Sequence, residues 1–198
     1  MLNQHQTIKD NIIKYNQHRP LEAFLLPFIG DKKIVSILDI GSGAFSKIGC
    51  LLPRVSTVIR AADKQDFTEF YKKHKVIPLE PIEIQDMEKL TYIDNFFDIV
   101  HCSNALDHTE NAAQAVREMI RVCKPGGYVY IKCWQNQKDT GYDHKWNVDG
   151  YGRVSNDEDF FDLPAFGFKI TYIEKGGELR YNEIIAILHK EGGKNEKI

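Results

Sequence analysis

The run Asp39-Ile40-Gly41-Ser42-Gly43 sets two glycines one residue apart at the end of an apolar stretch. A glycine turn after a strand lets a ligand approach the backbone closely, because no Cβ stands in the way. It also lies at the carboxyl edge of the sheet, where open α/β folds bind. Taken alone, the motif is equally well a tight turn. Asp63 comes twenty positions after Gly43, just past a second β-branched run. An acid placed there can accept hydrogen bonds from both hydroxyls of a ribose; the plainer alternative is a solvated loop acid. Together the two features read as a nucleoside site. A nicotinamide dehydrogenase would carry G-x-G-x-x-G, but the third position here is Ser46.

These residues need a frame. Strand-like runs occur at Lys33–Ile40, Val55–Ala61, Pro81–Gln85, Phe97–Ser103 and Tyr128–Trp134. Most are continuous runs rather than alternations, as expected of strands covered on both faces of a parallel sheet. Between the last two, Ala112, Ala115, Val116, Met119, Ile120 and Cys123 fall on one helical stripe over about Glu110–Cys123, with Thr109 in position to cap it. Pro125-Gly126-Gly127 stops that helix. The polar start predicts a helix with Ile8, Ile12 and Ile13 on one face, followed after Pro20 by a more apolar segment over Leu21–Ile29. Ser155 and Glu158 have capping-box spacing ahead of Phe160, Phe161 and Leu163, predicting a further helix. At the end, Phe168–Glu174 and Tyr181–His189 are strands joined by Lys175-Gly176-Gly177-Glu178. So short a connection joins antiparallel strands. The fold class is therefore α/β: a Rossmann-like three-layer sandwich on a mostly parallel seven-stranded sheet that ends in an antiparallel hairpin.

The ordered set of Asp39-Ile40-Gly41-Ser42-Gly43, Asp63, Gln85-Asp86-Met87-Glu88, Phe97–Asn104 and Lys124-Pro125-Gly126-Gly127 resembles the class I S-adenosylmethionine-dependent methyltransferases. The resemblance is best over Ile34 to Trp134, and the final hairpin extends it to about residue 190. It implies S-adenosylmethionine as cofactor. Gly41, Ser42 and Gly43 would lie against its amino-acid part, with Asp39 organising the turn. Asp63 would hold the ribose, Asp86 the adenine amino group, and Met87 would line the adenine. Ser103 and Asn104 would face the methionine part and the acceptor. The family often has a third glycine where this chain has Phe45. Asp98 reads as an orienting or solvated acid.

Methyl transfer to a hydroxyl also gains from a base. Asp107, His108 and His144 are the candidates near the ligand edge, with His108 preferred. Alternatively, Asp107 and His108 simply cap or pack the next helix. Residues 135–156 form a long stretch rich in amides and aromatics, and its His144-Lys145-Trp146-Asn147 is similar to a His-x-Trp-Asn element of other methyltransferase-domain proteins. A long loop in a compact domain is usually functional or disordered, and this composition suits a polar, hydroxylated acceptor such as a sugar. Trp146 is as readily an anchor on the core.

The expected organisation is one domain over residues 1–190, with 1–30 as a helical cap, 135–156 as the acceptor-side loop, and a solvated tail at 191–198. The 198 residues carry a formal charge of −2, which gives no basic surface for nucleic acid. No apolar run reaches the ~20 residues of a membrane span, and the start lacks a signal-peptide core. Cys50, Cys102, Cys123 and Cys133 show no metal-ligand spacing, so no metal is expected. A cytoplasmic enzyme acting on a small molecule, as monomer or homodimer, is the expectation.

Overall fold

The computed structural model describes residues 4–135, 143–173 and 182–192. Seven strands form the main sheet: β1 (Ile34–Ile40), β2 (Ser56–Asp63), β3 (Ile82–Ile84), β4 (Phe97–Ser103), β5 (Cys123–Trp134), β9 (Lys169–Ile173) and β10 (Glu183–His189). Their order is β3-β2-β1-β4-β5-β10-β9. The pairs among β1 to β5 are parallel, whereas β10 runs antiparallel to both β5 and β9. The hairpin expected at the end of the chain is present, though its turn at 175–178 lies outside the described residues. The chain reverses its direction of winding between β1 and β4, and that switch point is where an open α/β sheet leaves a crevice.

Period-two alternation sorts the two faces. Leu38 and Ile40 of β1, Val100 and Cys102 of β4, and Val129 and Ile131 of β5 pack with helix α3 (Ala112–Val122) in the larger core. Val35, Ile37 and Ile99 point to the other face and pack on Leu21, Leu25, Ile29 and Ile48. That second layer is thinner than the first. It is built on a 3-10 segment, Ala23–Phe28, which contains Pro27. The backbone N–H groups of Leu21 and Glu22 donate to Leu51 and Ile48 carbonyls and fasten it down.

Several local expectations need correction. In α1 (Gln4–Tyr15), Ile8 and Ile12 are half-buried one turn apart, but Ile13 is 72% exposed, because its position lies off their face. Helix α3 is capped by Asn111, whose side chain accepts from the Gln114 N–H; the Thr109 hydroxyl instead donates to the Leu106 carbonyl. The proposed capping box at Ser155 starts no α-helix. Ser155 ends β7 (Arg153–Ser155), which pairs with β8 (Phe160–Asp162), and a 3-10 turn, Leu163–Phe166, follows. Asn156 turns the chain between them by accepting from the Glu158 and Asp159 N–H groups. β6 (Asn147–Val148) completes this small antiparallel sheet. The second half of the expected loop at 135–156 is thus ordered structure, and residues 136–142 lie outside the described ones. Helix α2 (Thr68–His74) follows β2; it buries none of its residues, so no apolar stripe announced it.

Candidate active site

The carboxyl ends of β1, β2 and β4 open into one cleft of about 950 Å³. Gly41, Ser42 and Gly43 line it together with Asp63, Asp86 and Met87. Ser103, Asn104 and His108 line it too, so the residues named from the glycine turn and the family resemblance converge. Asp107 and His144 stand behind His108 rather than on the cleft wall.

The turn is built from its own hydrogen bonds. The N–H groups of Gly41 and Ser42 both donate to the Ala62 carbonyl, tying the turn to β2. The two glycines do different work. At Gly41 (φ +71°) a Cβ would lie 2.2 Å from the Ala105 side chain, so the missing side chain makes room for the loop after β4. At Gly43 (φ +68°) a Cβ would meet nothing within 4 Å, which makes Gly43 the position open to a ligand. Its N–H donates to Asp63 Oδ2 at 2.9 Å, and Asp63 Oδ1 accepts from Gln65 N–H at 2.9 Å. Each carboxylate oxygen has a second lone pair for an incoming hydroxyl. Phe45 occupies the family's glycine position by turning inward against Phe70 and Tyr71. The Tyr71 hydroxyl donates to the Ala44 carbonyl at 2.6 Å; burial, and then the neighbouring Asp63 charge, push its pKa up to about 12. It stays a donor, and this is how α2 steadies the turn.

Asp86 accepts from the Glu88 N–H at 3.0 Å and pairs with Lys64 at 3.0 Å. Burial raises its pKa, but the Glu88 N–H and Lys64 outweigh that, and it is held below the usual carboxylate range. It presents an ionised acceptor. Met87 is buried with its sulfur 4.0 Å from Cys102 Sγ.

At the tip of β4, Asn104 is in the left-handed region (φ +51°), its N–H donating to the Lys132 carbonyl. Asn tolerates this conformation better than most residues. Its Oδ1 is buried and has no partner. A strained residue with an unsatisfied acceptor at a cleft marks a place for a ligand donor.

Asp98 is no part of this site. It sits at the opposite end of β4, where it accepts from the Ser36 N–H and hydroxyl and pairs with Lys124. The orienting role read from the sequence is therefore a structural one. Trp146 is buried in the main core and its indole N–H donates to the Thr109 carbonyl, so it is the anchor that holds this segment.

Behind His108 lies a polar corner. His144 Nδ1 is 2.7 Å from Asp107 Oδ2, and His108 Nδ1 is 2.7 Å from the Asp143 carbonyl oxygen. The two imidazoles lie 4.3 Å apart between centroids. The Asp107 carbonyl accepts from both Lys145 and Trp146 N–H groups, which binds the loop before β6 to the loop after β4.

Around Asp39, already named from the sequence, the structure adds His101, Phe24 and Lys132 to the site. Asp39 is buried; Oδ1 lies 2.7 Å from His101 Nδ1, and Oδ2 accepts from the Ser46 hydroxyl at 2.7 Å. His101 stacks on Tyr130 and faces Phe24 from the N-terminal layer. Lys132 pairs with Glu183 at 2.9 Å beside them. Asp39 and His101 are the polar breaks on one face of two adjacent apolar strands, and they are register partners; that coincidence was the available signal. Cys102 and Cys133 are not poised as nucleophiles: both are pushed up by burial, and then by the Asp107 charge.

Residues 38–131 match the methyltransferase-domain family. With the parallel sheet ending in an antiparallel pair, the match decides the assignment. Residues 38–131 carry a methyltransferase domain of the class I S-adenosylmethionine-dependent kind. Its cofactor is accordingly S-adenosylmethionine, and the open Gly43, the ionised Asp86 and the unpartnered Asn104 Oδ1 fit that ligand. Among similar proteins, the ubiquinone/menaquinone biosynthesis C-methyltransferase UbiE of Chromobacterium violaceum is 37% identical over 59 residues, 28% of this chain and 24% of that protein. An uncharacterized methyltransferase of Schizosaccharomyces pombe is 31% identical over 122 residues, 56% of this chain and 43% of that protein. The aligned parts thus span under half of these relatives. The crystal structure of the N-methyltransferase NodS from Bradyrhizobium japonicum superposes with TM-score 0.53 at 14% identity, covering 85% of this chain and 93% of that one. This methyltransferase fold is therefore present over most of the chain.

Proposed function

We propose that the protein transfers the methyl group of S-adenosylmethionine to a small, polar, hydroxylated acceptor such as a sugar or a secondary metabolite. The observation that carries this reading is a single cleft that Asp63, Asp86, Gly43 and His108 all line. The cofactor supplies a methyl already activated on a positively charged sulfur. The protein's task is to orient an acceptor lone pair behind that methyl, and orientation alone can supply a large part of the acceleration.

Each residue has a part. Asp63 accepts the ribose hydroxyls, Asp86 the adenine amino group, and the apolar Met87 flanks the base. Ser103 and Asn104 hold the methionine portion at the tip of β4. His108 meets the acceptor, with Asp107 and His144 supporting it from behind. The Asp143 carbonyl fixes the tautomer of His108 by accepting its Nδ1–H, which leaves the Nε2 lone pair for the acceptor's hydroxyl proton. Asp107 holds His144 in the same manner.

The test begins with calorimetric titration by S-adenosylhomocysteine, with NADH as control. Methyl-labelled S-adenosylmethionine is then offered with a panel of hydroxylated metabolites. His108→Ala and His144→Ala should keep the cofactor affinity and lower turnover by roughly 10²–10⁴-fold, the usual worth of a proton-transfer group. Full activity in both variants removes the corner from the acceptor site. Binding of NADH alone overturns the cofactor roles of Asp63 and Asp86.

A further inference from the structure

The corner behind the cleft is more than a pair of oriented histidines. A nitrogen of His108, a nitrogen of His144 and a carboxylate oxygen of Asp107 all lie within 4.8 Å of one another. Asp107 is only 2% exposed, and its Oδ1 is buried without any hydrogen-bond partner. An unsatisfied buried carboxylate oxygen is costly, and a cation is a group that would satisfy it. His108 has its Nδ1 committed to a backbone carbonyl, leaving Nε2 as a lone-pair donor. A hydrogen bond on the second nitrogen is the arrangement that orients metal-binding imidazoles. The ligands come from two segments that are already locked together, since the Asp107 carbonyl binds the Lys145 and Trp146 N–H groups.

We propose that Asp107, His108 and His144 form a binding site for one divalent transition-metal ion of the zinc class, open to the cleft on the His108 side. Two imidazoles and one carboxylate suit zinc, iron or cobalt better than magnesium or calcium, which prefer all-oxygen sites. Ligand bonds of about 2.0–2.1 Å call for closer spacing than 4.8 Å, and a small shift of His108 together with the Asp143 carbonyl that holds it supplies the difference. Three protein ligands leave a position for a further donor, as in catalytic rather than structural sites. The inference departs from the sequence expectation of no metal, because the ligands are adjacent only in space. It deepens the acceptor reading and rests on it in one respect, that the open position takes an acceptor hydroxyl; with the ion bound, His108 Nε2 is a ligand, and the ion replaces it as the group that activates that hydroxyl. The hydroxyl's O–H bond then breaks and its proton passes to water. The oxygen lone pair forms the bond to the methyl carbon, and the carbon–sulfur pair returns to sulfur.

The experiment uses the full chain, stripped with a chelator and desalted. Titration with Co²⁺ is followed by visible absorption, and titration with Zn²⁺ by calorimetry. One ion per chain with cobalt d–d bands is expected. His108→Ala and Asp107→Asn should each weaken it by more than about 10-fold, while His18→Ala, at an exposed residue outside the cleft, should not. His108 is exposed, so that variant tests the site even where Asp107→Asn fails to fold; unchanged S-adenosylhomocysteine affinity identifies an intact domain. Absence of cobalt bands at saturating metal, or equal affinity in His108→Ala, overturns the site. Methyl transfer by a metal-free protein removes the ion and leaves the acceptor reading standing. A bound ion at these residues with no acceptor methylated removes the acceptor reading and leaves the ion.

Discussion

At the scale of single residues, the cofactor half of the cleft rests on a few hydrogen bonds whose loss can be weighed. Asp63 bonds the Gly43 and Gln65 N–H groups and still has lone pairs for a ribose. Asp63→Ala should weaken S-adenosylhomocysteine binding by about 1–3 kcal/mol, the worth of charge-assisted hydrogen bonds; calorimetry reads it directly, and unchanged affinity would sink the ribose assignment. The two glycines predict a contrast. Gly41→Ala drives a Cβ into Ala105 at a positive φ and should destabilise the fold by about 1–3 kcal/mol through overpacking, beyond the backbone strain. Gly43→Ala meets no atom and should cost only the strain, about 1–2 kcal/mol, while impairing cofactor binding more than stability. Urea denaturation of both variants separates the two. Equal destabilisation would mean that the Ala105 contact relaxes freely.

At the scale of elements, the sheet is pinned at the end opposite the cleft. Asp98 of β4 joins Ser36 of β1 and Lys124 of β5, so one carboxylate ties three neighbouring strands together. Its pKa is raised by burial, but the Ser36 hydrogen bonds and then Lys124 outweigh that and leave it lowered. A lowered carboxylate stabilises fully above its ordinary range, and the contribution is lost as pH falls through the lowered value. Asp98→Asn should therefore cost about 1–3 kcal/mol at pH 7. The gap between variant and parent should close below about pH 4. Denaturation midpoints across pH 3–8 measure this, and a gap independent of pH would contradict it. At the other end of β4 the elements meet differently. Trp146 and the Asp107 carbonyl dock the segment before β6 onto the loop after β4, which is what brings His144 to His108. The apparent loop became a small sheet because the Asn156 turn lets β7 and β8 pair, so the capping-box spacing was spent on a hairpin.

At the scale of the whole molecule, one crevice at the β1/β4 switch point gathers residues from the N-terminal layer, four strand ends and the loop beyond β5. A ligand that binds only the folded state stabilises it by mass action, by about 2.7 kcal/mol at a concentration 100 times its Kd. S-adenosylhomocysteine at that level should raise the melting temperature by several degrees, at roughly 2–4 °C per kcal/mol for a chain of this size. NADH should not. Equal shifts would mean that the cleft does not discriminate between the two nucleosides. No helix among the described residues is long and apolar enough to cross a membrane.

The sequence alone determined the succession of strands along the chain, their mostly parallel pairing and the ligand edge. All three follow from local patterns: the glycine turn after β1, Asp63 after β2, the α3 stripe, and a hairpin too short to be anything but antiparallel. Which acid is structural and which faces a ligand was decided only in three dimensions. Asp98 turned to Ser36 and Lys124, and Asp39 paired with His101, 62 positions away. His144 came to Asp107 across 37 positions by the docking of Trp146. Such contacts depend on how strands register and loops pack, and spacing along the chain does not encode that. The same physics split the roles of Gly41 and Gly43, since the neighbour that forbids a side chain at one, Ala105, belongs to a different strand's loop.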